Sequence, residues 1–475
     1  MLGLHETTNV VGNITDLPKN SWVSTVAASR FDEGTAYATF DRHTYGDLKP
    51  YAYKTADYGK TWTALGVQAS GVKGYAHVIT QDTVNPSLLF LGTEFGLWIS
   101  VDGGERWAQY KGSDFPAAVP VNDIVVQARE SDLVLATHGR GIWIIDDISP
   151  LRALTPELMS KEAALMPGKD AIQYFQANGG WPEGDEMISG RSRPNDAQIT
   201  YYQRGRHIFG DLKIEILDEN GKVVDNITGS KHRGLNRASW SMRVKGPAVP
   251  PAANALFEAA QGPRVLPGAY TVKMTKGDNV YTQKINVVLD PRAKYSVEDR
   301  KAQFDLTMKV YKLIEHMTYT VDAIEGVHRA ANERAAKLPE KSPLRAQLAE
   351  LGAKCDEWRS KIVATKEGGA ITGEERIREL LGQLYGSVNG YEGRPTDYQA
   401  ARTETLGHEL EDIVTDFQKG TQKTLAVLNP ALKKNKLEAI PVLAESDWQK
   451  KREAEGATGS GAGMRMEAGN RWERD

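Results

Sequence analysis

The sequence predicts a multidomain chain of β plus α class: a partial β-propeller of about three blades, an immunoglobulin-like β-sandwich, and a C-terminal antiparallel helical bundle or set of hairpins. Three observations carry the prediction. The pattern Ser/Thr-x-Asp-x-Gly-x-x-Trp returns at a fixed interval, since Asp57 is followed 45 residues later by Asp102 and 45 later again by Asp147. Tyr53, Trp98 and Trp143 keep the same step. A period of about 40 to 50 residues belongs to stacked four-stranded units. From 197 to 290 the pattern is short alternating strands without the box. Beyond Pro291 the apolar period changes from 2 to 3.6.

Residues 1–153 form the repeat region. Each copy opens on an alternating strand, SWVSTVAAS, GYAHVIT or VNDIVVQA, and turns at FDEG, VNPS or RESD. A second strand follows at TAYATF, LLFLGT or LVLAT, and a third at PYAYKT, GLWIS or GIWII. The complete boxes hold Thr55, Asp57, Gly59 and Trp62, then Ser100, Asp102, Gly104 and Trp107. A short Asp before Gly suits a tight hairpin, because the carboxylate accepts local backbone N–H groups while Gly takes a positive φ. The Trp then fills the space between neighbouring sheets. These residues are therefore read as structural. In the third copy Ile145, Ser149 and Arg152 replace the hydroxyl residue, the Gly and the Trp, which predicts an irregular last turn. Closed propellers need about four blades or more, so further blades are expected from a longer chain or another subunit.

Residues 154–196 read as a linker, with one amphipathic turn in LTPELMSKEAALMP and a Gly/Pro-rich loop at ANGGWPEGDEMISGRSRPND. Residues 197–292 read as the sandwich: about seven short strands, hairpin turns at Glu219-Asn220-Gly221 and Gly277-Asp278-Asn279, an Ala/Pro-rich insertion, and Trp240 and Tyr270 as core or corner residues. Residues 293–452 carry helical stripes. Leu306, Val310, Leu313, Met317, Val321, Ile324 and Val327 recur on one face, and Leu344, Leu348, Leu351, Cys355, Trp358 and Ile362 on another. Ser296, Ser342 and Thr372 stand where caps are needed, and Asn429-Pro430 is expected to close the last long helix. Cys355 lies in an apolar stripe and reads as an inert thiol. The Gly-rich, charged stretch 453–475 reads as a disordered tail.

Composition narrows function. With 59 basic against 62 acidic side chains, bulk charge selects neither nucleic acid nor an anionic membrane. The single cysteine excludes internal disulfides and cysteine-rich metal sites. There is no P-loop, GxGxxG, HExxH or GxSxG, and His43, His77 and His138 lack a ligand spacing, so neither metal nor cofactor is expected. No apolar run is long enough to span a bilayer, and MLGLHETTNVVG has neither the basic nor the apolar region of a secretory signal.

The boxes at Thr55–Trp62 and Ser100–Trp107 resemble the Asp-box, or BNR, repeats of sialidase-like and sortilin-type β-propellers. GTEFGLW and ATHGRGIWIIDD look like the recurring strand of large bacterial BNR-repeat "glycosyl hydrolase" proteins with a sortilin N-terminal-like domain. The resemblance implies a propeller followed by an immunoglobulin-like domain and a helical region, and export in similar proteins. It does not imply one activity, because sialidases, xyloglucanases, photosystem assembly factors and sorting receptors share the box.

The box turn joins the third and fourth strands of a blade, so loops between the second and third lie on the opposite face. That rim holds Asp41, Arg42 and His43, then Glu94, then His138 and Arg140. They form the candidate ligand surface, and Asp41 with Glu94 is the candidate catalytic pair of an inverting glycosidase. For a sialidase-like site Arg42 and Arg140 could meet a substrate carboxylate, but no Tyr–Glu pair is evident in the sequence. The reading favoured is a binding or scaffold protein holding a protein, peptide or glycan. The alternative is a sialidase- or xyloglucanase-like glycoside hydrolase whose active site lies largely in blades outside this chain.

Overall fold

The computed structural model describes residues 8–112, 115–116, 118–174, 195–252, 259, 261–365 and 373–458. It is a mixed β and α chain that begins with three successive antiparallel sheets. The first joins β1 (Trp22–Ala28), β2 (Ala36–Arg42), β3 (Asp47–Thr55) and β4 (Thr63–Ala64) in sequence order. The second repeats this with β5 (Ala76–Gln81), β6 (Leu89–Thr93), β7 (Gly96–Ser100) and β8 (Ala108–Gln109). The third holds β9 (Val121–Gln127), β10 (Asp132–Thr137) and β11 (Ile142–Ile145).

Alternation explains how the sheets stack. Along β6, Leu89 and Leu91 enter a core shared with Tyr37 and Ala52 of the first sheet. Phe90 points the other way, into a core shared with Ile124, Leu133 and Leu135 of the third. The middle sheet is thus buried on both faces. Gly92 is required there, since a Cβ would come within 2.3 Å of the Val121 carbonyl oxygen. The outer face of the third sheet leaves Val125, Ile142 and Ile144 exposed.

The two complete boxes fold alike. Thr55 Oγ1 donates to Asp57 Oδ1 at 2.9 Å and accepts from Gly59 N, while Asp57 accepts from Thr61 N and Oγ1. Ser100 Oγ donates to Asp102 Oδ1 at 2.8 Å and accepts from Gly104 N, while Asp102 accepts from Arg106 N and Nε. Gly59 and Gly104 have φ of +80° and +98°, a region costly for L side chains. Replacing Asp102 with Ala removes these acceptors and is expected to lower unfolding stability by about 1–2 kcal/mol, measured by urea denaturation. The third turn is irregular. Asp147 has φ +47°, Ser149 donates to it, and the chain enters two short helices, α1 (Ser149–Arg152) and α2 (Pro156–Ser160).

The stretch read as a linker contributes strands, which corrects its boundary. β12 (Ala163–Leu165) and β13 (Ala171–Gln173) precede β14 (Ala197–Gln203), β15 (Leu212–Leu217), β16 (Val223–Gly229), β17 (Gly234–Trp240), β18 (Gly268–Lys276) and β19 (Asn279–Leu289). One sheet has the order β12-β14-β17 and the other β13-β19-β18-β15-β16. β13 runs parallel to β19. Three-residue strands are too short to show alternation, so pairing alone defines them. Most of the Gly/Pro-rich loop lies outside the described residues. Between the sheets Trp240 meets Tyr270 edge to face at 5.3 Å, and Tyr270 donates to Leu266 O.

The helices are α3 (Val297–Ala335), α4 (Pro343–Ile362), α5 (Ile377–Asn389), α6 (Asp397–Lys434) and α7 (Glu445–Thr458). Ser296 forms a capping box with Asp299, Ser342 is an N-cap without a side-chain bond, and Thr372 lies outside the described residues. Pro430 does not end α6. It costs one backbone bond, while buried Leu432 and the Asn435 N to Ala431 O bond hold the following turn. Asn429 instead receives Ile440 N at 2.8 Å from the returning strap. α7 runs past 453 to Thr458, so the predicted tail begins in a helix, and 459–475 lie outside the described residues. Burial pushes the Cys355 thiol up to about 12, which suits an inert core residue. The Ala/Pro-rich insertion docks on the helices: Ala248 O accepts from Thr318, Pro250 O from Arg378 and Gln261 O from Tyr385. No helix among the described residues is long and apolar enough to cross a membrane.

Candidate functional site

Asp41 is the penultimate residue of β2, and the chain then makes a short turn, His43–Tyr45, closed by Gly46 at φ +73°. Asp41 Oδ1 accepts from His43 N at 2.7 Å, and Oδ2 lies 2.5 Å from His43 Nδ1. This fixes the imidazole, which stacks on Tyr75 with ring centroids 4.8 Å apart and planes at 25°. Tyr75 stands just before β5 and meets His77 edge to face, also at 4.8 Å. His77 Nε2 lies 3.2 Å from Glu94 Oε2 in the β6–β7 loop. Glu94 is tied to Tyr75 through the backbone, Glu94 N donating to Tyr75 O at 3.2 Å.

The result is one ladder, Asp41, His43, Tyr75, His77 and Glu94, crossing from the first sheet to the second. Gly74, at φ +77°, allows it, since a Cβ would lie 2.8 Å from Glu94 Cβ and from the Phe95 ring. Its charged and imidazole side chains are partly exposed, from 19% at Asp41 to 46% at His43, and Tyr75 is half-buried. Burial first, then the Glu94 hydrogen bond and charge and the Asp41 charge, push the Tyr75 phenol up to about 12. Tyr75 therefore keeps its proton at neutral pH. Its stabilising share is complete below the ordinary tyrosine value near 10 and is lost as pH rises toward 12.

The structure brings together only part of the predicted set. Asp41, His43 and Glu94 share the ladder. Arg42 turns away: its guanidinium donates to Lys19 O at 2.6 Å and Ser21 Oγ at 3.2 Å, pairs with Asp47 and covers the Tyr45 ring. It fastens the segment before β1. His138 and Arg140 are exposed, and among the described residues neither side chain forms a hydrogen bond or ion pair. Their backbone makes the turn, with His138 N on Pro120 O and Arg140 O accepting from Trp143 Nε1.

Sequence reasoning missed Tyr75 and His77, and with them a Tyr–Glu pair on this rim. Their signal was present: two polar-edged rings at i and i+2 face the same side of a strand start, level with the loop of the preceding repeat. Among the described residues no group of three His, Cys, Asp or Glu side chains is placed to hold a metal ion.

No protein-family model and no curated relative matches this chain. Among solved structures it is similar to PorZ, a surface component of the type-IX secretion system of Porphyromonas gingivalis, at 12% identity over 56% of this chain and 30% of that one, with a TM-score of 0.21. It is also similar to a GH74 enzyme from Niastella koreensis, at 12% identity over 56% of this chain and 46% of that one, with a TM-score of 0.23. YCF48 bound to D1 peptide matches at 10% identity over 56% of this chain and 67% of that one, with a TM-score of 0.17. The chain thus spans less than half the length of the first two. At these scores no property passes from them to this chain.

Proposed function

We propose that this chain is a binding and scaffold protein of the Asp-box propeller type, with three repeat sheets as blades, an immunoglobulin-like sandwich after them and a helical arm. The observation that supports it is the ladder on the rim opposite the boxes. Each carboxylate in it is already engaged by a histidine, and Tyr75 is protonated at neutral pH. What such a rim offers is ring faces and fixed acceptors, which suit recognition of a protein, peptide or glycan better than proton transfer. The exposed Val125, Ile142 and Ile144 fit further blades from a longer chain or another subunit.

The test is retention on glycan and peptide arrays. Tyr75→Ala is expected to weaken the retained ligand by about 10-fold or more, since truncating an aromatic anchor removes most of its contact. Glu105→Ala, on the box side, is expected to leave it unchanged. Equal loss in both variants, or none in Tyr75→Ala, refutes the rim assignment. The glycoside hydrolase reading is kept as a second one because of the Tyr75–Glu94 pair.

A further inference from the structure

We propose that the loop between β14 and β15 is a docking tip for an anionic lipid surface. Its sequence, RGRHIFGD at 204–211, puts Ile208 and Phe209 at the apex, 73% and 85% exposed. Gly205 and Gly210 flank them, and a Cβ at either would meet nothing within 4 Å, so the tip stands clear of the sandwich. The neighbouring β16–β17 turn is tied to its base by His207 N to Lys231 O at 3.0 Å. The two loops together carry Arg206, Lys231 and Arg233 beside the apolar pair in sequence, while Arg204 donates to Ser160 O at 3.1 Å. Asp211 is the one acid in them, and it is paired with Lys231.

The chain as a whole carries a net charge of −3, so this cationic cluster is a local feature that bulk composition conceals. An apolar pair on a convex tip needs a partner that deforms around it. The boundary between lipid headgroups and acyl chains does so, and its phosphates meet the neighbouring cations. A folded acidic protein would need a preformed pocket for both side chains.

The experiment is co-sedimentation of the full chain with phosphatidylcholine vesicles, alone or with about one third phosphatidylserine. Partition is expected to be about 10-fold or more stronger on the anionic vesicles and to fall with salt. Neutralising two cations in the variant carrying Arg206→Gln and Arg233→Gln is expected to reduce it roughly 20-fold, and Phe209→Ser roughly 10-fold. These side chains are exposed, so circular dichroism is expected to be unchanged. Ile142→Ser, on the uncovered sheet face, is expected to leave partition intact. Absence of anionic-vesicle binding, or indifference to the loop variants, overturns the proposal. Loss of partition in Ile142→Ser also overturns it, as does retention on immobilised heparin without vesicle binding, which assigns the cations to a soluble polyanion.

Discussion

Replacing Arg152 with Ala is expected to cost the repeat sheets about 3–5 kcal/mol, because it strands a buried carboxylate. Arg152 stands where the third copy lacks its Trp. Its guanidinium grips Asp82 with two bonds, Nε to Oδ2 at 2.8 Å and Nη2 to Oδ1 at 2.9 Å, and reaches Ser131 Oγ with Nη1. The Asp82 side chain is 0% exposed. Burial pushes its pKa up, but the Arg152 bonds, the N–H groups of Asn85 and Val84 and the Arg152 charge outweigh that, and the net shift is downward. The sign follows: this stability is present above the ordinary aspartate range and is lost as pH falls through the lowered value. Chemical denaturation at neutral pH checks the loss, and the difference between wild type and variant should shrink on acidification.

Replacing Glu392 with Ala is expected to be comparably severe, about 3–5 kcal/mol, at the contact between sandwich and helices. Glu392 pairs with Arg264 and accepts from Tyr295 OH. Close by, Arg300 is 1% exposed and donates to Arg264 O at 2.6 Å. Burial lowers the pKa of Arg300 and of Arg243, and the Glu392 charge works against that lowering in both. Without it, three guanidinium groups share one desolvated region with no counter-charge. The exposed pair Lys301–Asp305 is the control, since breaking it should change stability by less than about 1 kcal/mol. Denaturation followed by circular dichroism compares the two.

The sequence exposed the repeat because box and alternation are local: Thr55 with Asp57, or Leu89 with Leu91, are near neighbours on the chain. It exposed the helices for the same reason, through Val310, Met317 and Val321 on one buried face. What stayed hidden depends on contacts distant in sequence. β13 is defined by pairing with β19 more than a hundred residues on, and Arg152 gains its role from Asp82. The sequence marked the separate loop residues but not the ladder that joins them. Asp41 and Glu94 stand out as loop carboxylates, whereas Tyr75 and His77 sit at a strand start and gain significance only when stacking and hydrogen bonding join the two loops. Arg42 shows the converse, since a charge in a promising loop is consumed by carbonyls before β1.

On the proposed function, the ladder of Asp41, His43, Tyr75, His77 and Glu94 binds its ligand without turnover. The most direct measurement is an activity assay of the full chain on sialosides and β-glucans, with Asp41→Asn and Glu94→Gln run beside it. No turnover is expected by any of the three, with ligand retention reduced in the Glu94 variant. Turnover by the wild-type chain that either substitution abolishes would contradict it and assign the rim to a glycoside hydrolase.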